Sequence, residues 1–328
     1  MKSRFILFTV VILFCIPAVF LSEAFAQSRL AVKINFTEQE TRELEKIKSS
    51  GITLRTLYSK LASTGNKKAP VRIEELFFNK QGLPIERKTY AAATQIVDER
   101  IEYKYNSKGH FIKEIVFNDK NKPVRTETIK VNKDGKALEI VTETVARGKT
   151  QKVKRVMSYN KQGFVSETKA YDEKNTLIVK EVDEYKNDLL LAKKKYAAGG
   201  QFLGSETYEY DSQKRKIKEI GLDIQYKKEK DSVSGKEAIV GYQRKSEYTF
   251  KYDDKGNICE IKAPEYKQVF TFNENGDCIR DVVFDKGGKR QNDNEFYYDE
   301  NGLLEQIIRY YPDGSPGAYI SYKFERSK

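Results

Sequence analysis

The side chains that carry most acid–base and metal chemistry are scarce in this chain. Its 328 residues include one His, three Cys and no Trp. A zinc site built on two imidazoles is therefore excluded. A Ser–His–acid triad would have to use His110. That residue directly follows Gly109 in a turn-like phrase, where a solvated loop position is expected. The phrases Asn132-Lys-Asp-Gly135 and Asp299-Glu-Asn-Gly302 raise calcium. An EF-hand loop needs a ligand two positions earlier and a closing bidentate Glu. Lys130 holds that earlier place for one phrase, and Thr271 and Val282 hold the two key places around Gly276. There is no Gly-x-x-x-x-Gly-Lys loop, no Gly-x-Ser-x-Gly elbow and no Cys-x-x-Cys. No catalytic, metal or cofactor-binding residue is assigned, and no cofactor is expected. Carboxylates could meet across strands as in a glycosidase, but the sequence selects no pair.

The remaining chemistry is charge. The chain carries a net +12, with 33% charged residues. Lys152, Lys154 and Arg155, together with Lys193, Lys194 and Lys195, form a candidate anion-binding patch with Tyr neighbours. The competing reading is a solvated sheet face whose lysines deter edge aggregation. Lys and Glu interleave along most strands, which favours cross-strand pairing and the second reading.

Lys2 and Arg4 precede a nearly continuous apolar run, Phe5 to Leu21, followed by Ala24-Phe25-Ala26. This is the anatomy of a secretory signal cleaved before Gln27. Phe14, not a small residue, precedes Cys15 inside the run, so lipidation is not expected. Cleavage removes Lys2, Arg4 and Glu23 and leaves +11. No later stretch is long and apolar enough to span a bilayer. The expected location is the periplasm or the cell exterior, where nucleic acid is not a partner. Cys259 and Cys278 remain, and an oxidising compartment lets such a pair bridge. A two-residue turn at Pro264-Glu265 would place Cys259 across from Phe270 and Cys278 across from Phe272. The thiols would then lie roughly 9–10 Å apart. A longer turn changes that register, so the candidate disulfide stays open.

One phrase organises the rest: an aromatic or apolar residue, Asn or Asp, two polar residues, then Gly or Asn. Copies end at Gly82, Gly109, Asn121, Gly135, Gly163, Asn175, Gly256, Gly276, Gly288 and Gly302, with a Lys214 variant and a degenerate copy at Gly314. The Asn or Asp can bond its own backbone two residues on. The last position needs a positive φ. This is the type I turn plus bulge that closes a hairpin. Endpoints are often 12 or 14 residues apart, leaving strands of about 8–10 residues and no room for crossover helices. Ile101, Tyr103 and Tyr105 alternate with Glu102 and Lys104, whereas Ile115-Val-Phe117 breaks alternation. The pattern predicts an all-β protein: a long antiparallel meander of hairpins in a twisted or curled extended sheet.

Residues 27–70 differ. Thr37 with Glu40 resembles a capping box, and Leu54, Leu57, Tyr58 and Leu61 have helical spacing. Two short helices are predicted, forming a cap ahead of the repeat domain at 71–328. Residues 227–237 are polar and read as an exposed loop or hairpin tip.

Tyr208-Glu-Tyr-Asp211, Phe250-Lys-Tyr-Asp-Asp-Lys-Gly-Asn-Ile258 and Phe296-Tyr-Tyr-Asp-Glu-Asn-Gly-Leu-Leu304 resemble the unit of YD-repeat, Rhs-type proteins. Weaker copies extend the likeness over residues 71–325. The resemblance implies an extended, curling sheet of hairpins; family members are often large shells, some enclosing a toxin. The Gly-Arg that usually follows the Tyr-Asp turn is absent, the chain is short for a closed shell, and no toxin domain is expected. The resemblance assigns no site residue. The leading functional expectation is an exported, noncatalytic protein presenting a β-surface to an envelope protein or an anionic glycan. A secreted carbohydrate-active enzyme and a self-associating envelope scaffold are the alternatives.

Overall fold

The computed structural model describes residues 38–62, 69–230 and 237–327. The leader expected at 1–26 lies outside them, as do 231–236 of the polar stretch 227–237 expected as a loop or hairpin tip; the rest of that stretch, 227–230 and 237, is strand. Among the described residues, one helix, α1 (Glu38–Ser49), precedes twenty strands. They are β1 (Ile52–Leu61), β2 (Val71–Phe78), β3 (Pro84–Tyr90), β4 (Val97–Tyr105), β5 (Phe111–Phe117), β6 (Pro123–Val131) and β7 (Ala137–Ala146). Then come β8 (Lys149–Tyr159), β9 (Val165–Tyr171), β10 (Leu177–Lys186), β11 (Leu189–Ala197), β12 (Phe202–Tyr210), β13 (Lys216–Lys230) and β14 (Glu237–Tyr252). The last six are β15 (Ile258–Lys262), β16 (Tyr266–Phe272), β17 (Cys278–Asp285), β18 (Arg290–Tyr298), β19 (Leu304–Tyr310) and β20 (Pro316–Arg326).

Each strand pairs antiparallel with the next, as the spacing predicts. The sheet is not open, however. β1 pairs with β2 on one side and with β20 on the other, closing a 20-stranded barrel. The same finding corrects the second predicted helix. Leu54, Leu57, Tyr58 and Leu61 do have helical spacing, but they lie on β1. An extended segment there satisfies the two edges that β2 and β20 would otherwise leave unpaired, and local spacing cannot register that demand.

The repeat phrase closes the hairpins chemically. Asn106 Oδ1 accepts from the backbone N–H of Lys108 at 3.0 Å and of His110 at 2.9 Å. Asp253 repeats this with Lys255 and Asn257 at 3.0 and 2.8 Å. Gly82, Gly109, Gly135, Gly163, Gly256, Gly276, Gly288 and Gly302 adopt φ between 70° and 86°. The aromatic before the turn has its own task. Tyr105, Tyr159, Tyr210, Tyr252 and Tyr298 donate their hydroxyls to the carbonyls of Pro84, Ala137, Leu190, Lys216 and Cys278, at 2.5–2.8 Å. Each acceptor lies at the start of the preceding strand, so the ring ties the hairpin's open end to its neighbour.

Register divides the side chains between two faces. Arg55, Leu76, Arg87, Ile101 and Val116 are successive partners from β1 to β5 and share the lumenal face. From β2 to β8 that face is packed by Leu76, Ile101, Val116, Ile129, Ile140 and Met157. Phe270, Phe296, Ile307, Ile320 and Tyr322 continue the packing from β16 to β20. The opposite face carries ion pairs along and between strands: Arg100–Glu102, Lys152–Glu143, Lys169–Glu167, Lys194–Glu184 and Lys251–Glu260, at 2.5–3.2 Å.

α1 sits on the turn-bearing end of the filled half. Ile47 is buried with the β2–β8 cluster. Lys46 Nζ donates to the Gly302 carbonyl at 2.8 Å and meets Asp277 at 3.2 Å. A Cβ on Gly82 would stand 2.8 Å from Lys48 Cβ. The helix thus bridges the β2–β3, β16–β17 and β18–β19 turns.

Candidate functional site

The filled half of the barrel leaves the other half of the lumenal wall, β10 to β14, less packed. A cavity of about 660 Å³ lies against it. The register lays out its floor as two rows. One runs Glu181, Lys195, Gly204, Asp223, Arg244; the other runs Asp183, Lys193, Glu206, Gly221, Ser246. The rows are two residues apart along each strand, about 7 Å. Acid and base alternate, and two glycines leave the centre without side chains.

Those glycines are required by close approach. A Cβ on Gly204 would stand 2.3 Å from the Leu222 carbonyl oxygen, and one on Gly221 would stand 2.6 Å from Ser246 Oγ. The wall here is drawn together until only glycine fits, which opens the depression beside it. Arg244 and Tyr248 form one flank, and Lys193 with Lys195 the other.

Burial raises the Asp183 carboxyl above its usual range, while Lys193 and the Tyr185 hydroxyl, 3.4 Å away, pull it back. Burial and a 2.5 Å bond to Glu206 push the Tyr208 phenol well up. Tyr208 therefore stays a neutral donor. Among the described residues, Lys193, Lys195 and Arg244 make no ion pair within 4.0 Å. The arrangement offers three cationic donors beside carboxylates that can accept from hydroxyls.

The predicted basic patch is divided by the strand alternation. Lys193, Lys194 and Lys195 all border the cavity, but strand alternation sets the side chain of Lys194 on the opposite face from Lys193 and Lys195, where its Nζ meets Glu184 at 2.6 Å. Lys152 is an outer-face partner of Glu143, and Lys154 reaches Asn175 and lies 5.1 Å from the Tyr171 ring centroid. Arg155 lies on the lumenal face, 3.5 Å from Thr142 Oγ1. With β8 and β11 three strands apart, the six residues form no single patch. Gly204, Gly221, Asp223 and Arg244 were missed. The one available signal was a pair of glycines inside strand-like runs.

Cys259 and Cys278 are free thiols. Cys278 lies opposite Phe272, and Glu260 lies opposite Val269, which is the two-residue-turn register. His110 is half-buried instead of solvated, its ring against Gly135. Two carboxylates do converge on the lumenal face. Glu114 and Glu127 are register partners, 3.7 and 2.9 Å from Arg125, and both are at most 4% exposed. They are sealed in the packed half, away from the cavity. No group of three or more metal-ligating side chains occurs among the described residues.

No protein-family model matches the chain, and no curated protein matches it. Among solved structures, it is similar to the Photorhabdus luminescens Tc holotoxin pore, at 10% identity and TM-score 0.21. That match covers 76% of this chain but only 19% of the toxin chain. A porin-like protein from Bacteroides uniformis aligns over 84% of this chain and 98% of its own, at 11% identity and TM-score 0.35. A second porin-like protein, from Bacteroides vulgatus, covers 84% and 99%, at 11% identity and TM-score 0.26. At these scores the likeness carries no argument about activity, and the lumenal wall must speak for itself.

Proposed function

We propose that this chain is an exported, noncatalytic barrel of the cell envelope that binds an acidic glycan in the cavity between β10 and β14. One observation carries the reading. The outer-face Lys194 sits on Glu184 at 2.6 Å, whereas the cavity's Lys193, Lys195 and Arg244 make no ion pair within 4.0 Å among the described residues, Lys193 acting on Asp183 only across the ladder. Cations gathered along a concave wall raise the local concentration of an anionic ligand. Arg can grip a sugar carboxylate or sulfate through two parallel bonds. Glu181, Glu206 and Asp223 are placed to accept from sugar hydroxyls, and Tyr248 supplies a ring at one edge.

The noncatalytic part rests on where the acids stand. Each cavity carboxylate neighbours a cation or glycine in the register. The convergent pair, Glu114 and Glu127, is enclosed. Export rests on the leader-like residues 1–26. A barrel that spans lipid needs an apolar outward band, and the paired ions on this outer face oppose that. Titration against acidic and neutral glycans at two salt concentrations tests the proposal. Selective binding of one acidic glycan at physiological salt is expected. Weak attraction to every polyanion, abolished by salt, would reduce the charge to nonspecific attraction and leave a protein partner as the better candidate.

A further inference from the structure

The cavity's cations stand on two separate flanks. Lys193 and Lys195 lie on β11 and face the same way, about 7 Å apart along the strand. Arg244 lies on β14 in the row of Lys195, which runs Lys195, Gly204, Asp223, Arg244. Three strand spacings, roughly 14 Å of backbone, separate the flanks. On a concave face the side-chain ends stand closer than that.

The centre between them is not cationic. β12 and β13 set Gly204 opposite Asp223 and Glu206 opposite Gly221. The glycines fall on one diagonal and the carboxylates on the other. Lys195, Glu206, Asp223 and Arg244 are all exposed and open to a ligand. Lys195 and Arg244 would meet on a single anion only by lying across this centre, where the anion would face two like charges. A neutral sugar meets no such penalty, and its hydroxyls donate to the same carboxylates. Glu181 and Asp183 on β10 stand opposite Lys195 and Lys193 and bound the β11 flank on its other side. Across the wall the order is therefore acid, base, acid with glycine, and base.

Building on the acidic-glycan function proposed above, we infer that the cavity recognises alternation: an acidic sugar on Lys193 and Lys195, a neutral sugar over the glycine floor, and a second acidic sugar on Arg244. A pyranose advances its chain by about one strand spacing, so two acids separated by one neutral sugar fit between the flanks above the concave floor. Arg244 can hold its acid through two parallel bonds, and the lysines act as point charges. The central carboxylates reject a chain that bears an acid on every sugar, and specificity rests on that unfavourable contact as much as on the favourable ones.

Calorimetric titration at physiological salt tests this with three probes. Two are hyaluronan oligosaccharides, in which glucuronate alternates with N-acetylglucosamine. The third is tetragalacturonate, with an acid on every sugar. The hyaluronan tetrasaccharide should bind about tenfold more tightly, or better, than the disaccharide, because only the tetrasaccharide engages both flanks. It should also outbind tetragalacturonate, which carries twice its charge. Arg244→Gln should reduce the tetrasaccharide to the affinity of the disaccharide. Glu206→Gln with Asp223→Asn should let tetragalacturonate bind as well as the hyaluronan tetrasaccharide. Equal binding of the two hyaluronan probes, or tighter binding of tetragalacturonate, would overturn the alternation; if Arg244→Gln still weakened these probes, the acidic-glycan function would stand. No binding of any probe, or binding indifferent to Arg244→Gln, would overturn both. The ranking of the three probes on the unaltered protein decides even if a variant fails to fold.

Discussion

The imidazole of His110 occupies the space where a side chain on Gly135 would stand: a Cβ there would lie 2.8 Å from ring atoms Cδ2 and Nε2. Lys136 bears the same relation to Gly163, whose carbonyl accepts Lys136 Nζ at 2.7 Å. α1 supplies Lys48 and Lys46 over Gly82 and Gly302. Along this rim, the residue after one turn glycine covers the glycine of the next rim turn. Gly135→Ala and Gly256→Ala both place alanine at positive φ, 81° and 86°, but nothing lies within 4 Å of Gly256. The Gly256 variant should lose about 1 kcal/mol from backbone strain. The Gly135 variant should lose roughly 1 kcal/mol more from overpacking. Adding His110→Ala should remove that excess, as read by urea unfolding. Equal losses in both single variants would mean that the ring is not held against the glycine.

The tyrosine before the turn gives a second contrast. Tyr298 donates to the Cys278 carbonyl at 2.7 Å, while its neighbour Tyr297 is 43% exposed and donates to Glu295 at 2.8 Å. Tyr298→Phe leaves a carbonyl without its partner and should cost about 1 kcal/mol. Tyr297→Phe should cost close to nothing. Denaturant midpoints of the two variants separate the cases, and identical midpoints would remove the hairpin tie from the account.

Asp281 predicts a pH dependence. It is 1% exposed, and burial raises its carboxyl from 3.8 to about 6. Bonds from Asn294 at 2.6 Å and Gln268 at 3.3 Å act the other way. The folded barrel holds this proton up to about pH 6, whereas the unfolded chain releases it near 3.8. The contribution is therefore complete below the unfolded value and is lost as pH rises through the folded one. The full difference is about 3 kcal/mol. Asp281→Asn should flatten this part of the stability profile. Thermal melts from pH 3.5 to 8 would refute the assignment if wild type and variant kept a constant separation.

Much of the wall was legible because the turn phrase is local chemistry. Asn106, Asp253 and their counterparts bond backbone groups two and four residues on, so the sequence alone marks each hairpin. Closure was not legible, because it depends on β1 meeting β2 and β20, up to 274 positions away in the Ile52–Arg326 pair. The basic triplet at 193–195 was visible as charge, but strand alternation sets the Lys194 side chain on the face opposite to Lys193 and Lys195. The cavity comes from β10–β14 jointly. Its glycine floor depends on the register of Gly204 with Asp223 and of Glu206 with Gly221, which only the folded sheet fixes.

The central claim is that the lumenal cations, and not the basic surface in general, hold the ligand. The direct measurement is the affinity of one acidic glycan for Lys195→Glu, Arg244→Glu and Lys194→Glu chains at physiological salt. All three change the net charge equally; Lys194 also borders the cavity, but its side chain stands on the other face of β11 and pairs with Glu184, so only the first two place the new carboxylate on the lumenal face. The account predicts at least tenfold weaker binding for Lys195→Glu and Arg244→Glu, about 1.4 kcal/mol or more, and near wild-type binding for Lys194→Glu. Equal losses in all three would contradict it and return the interaction to the outer face.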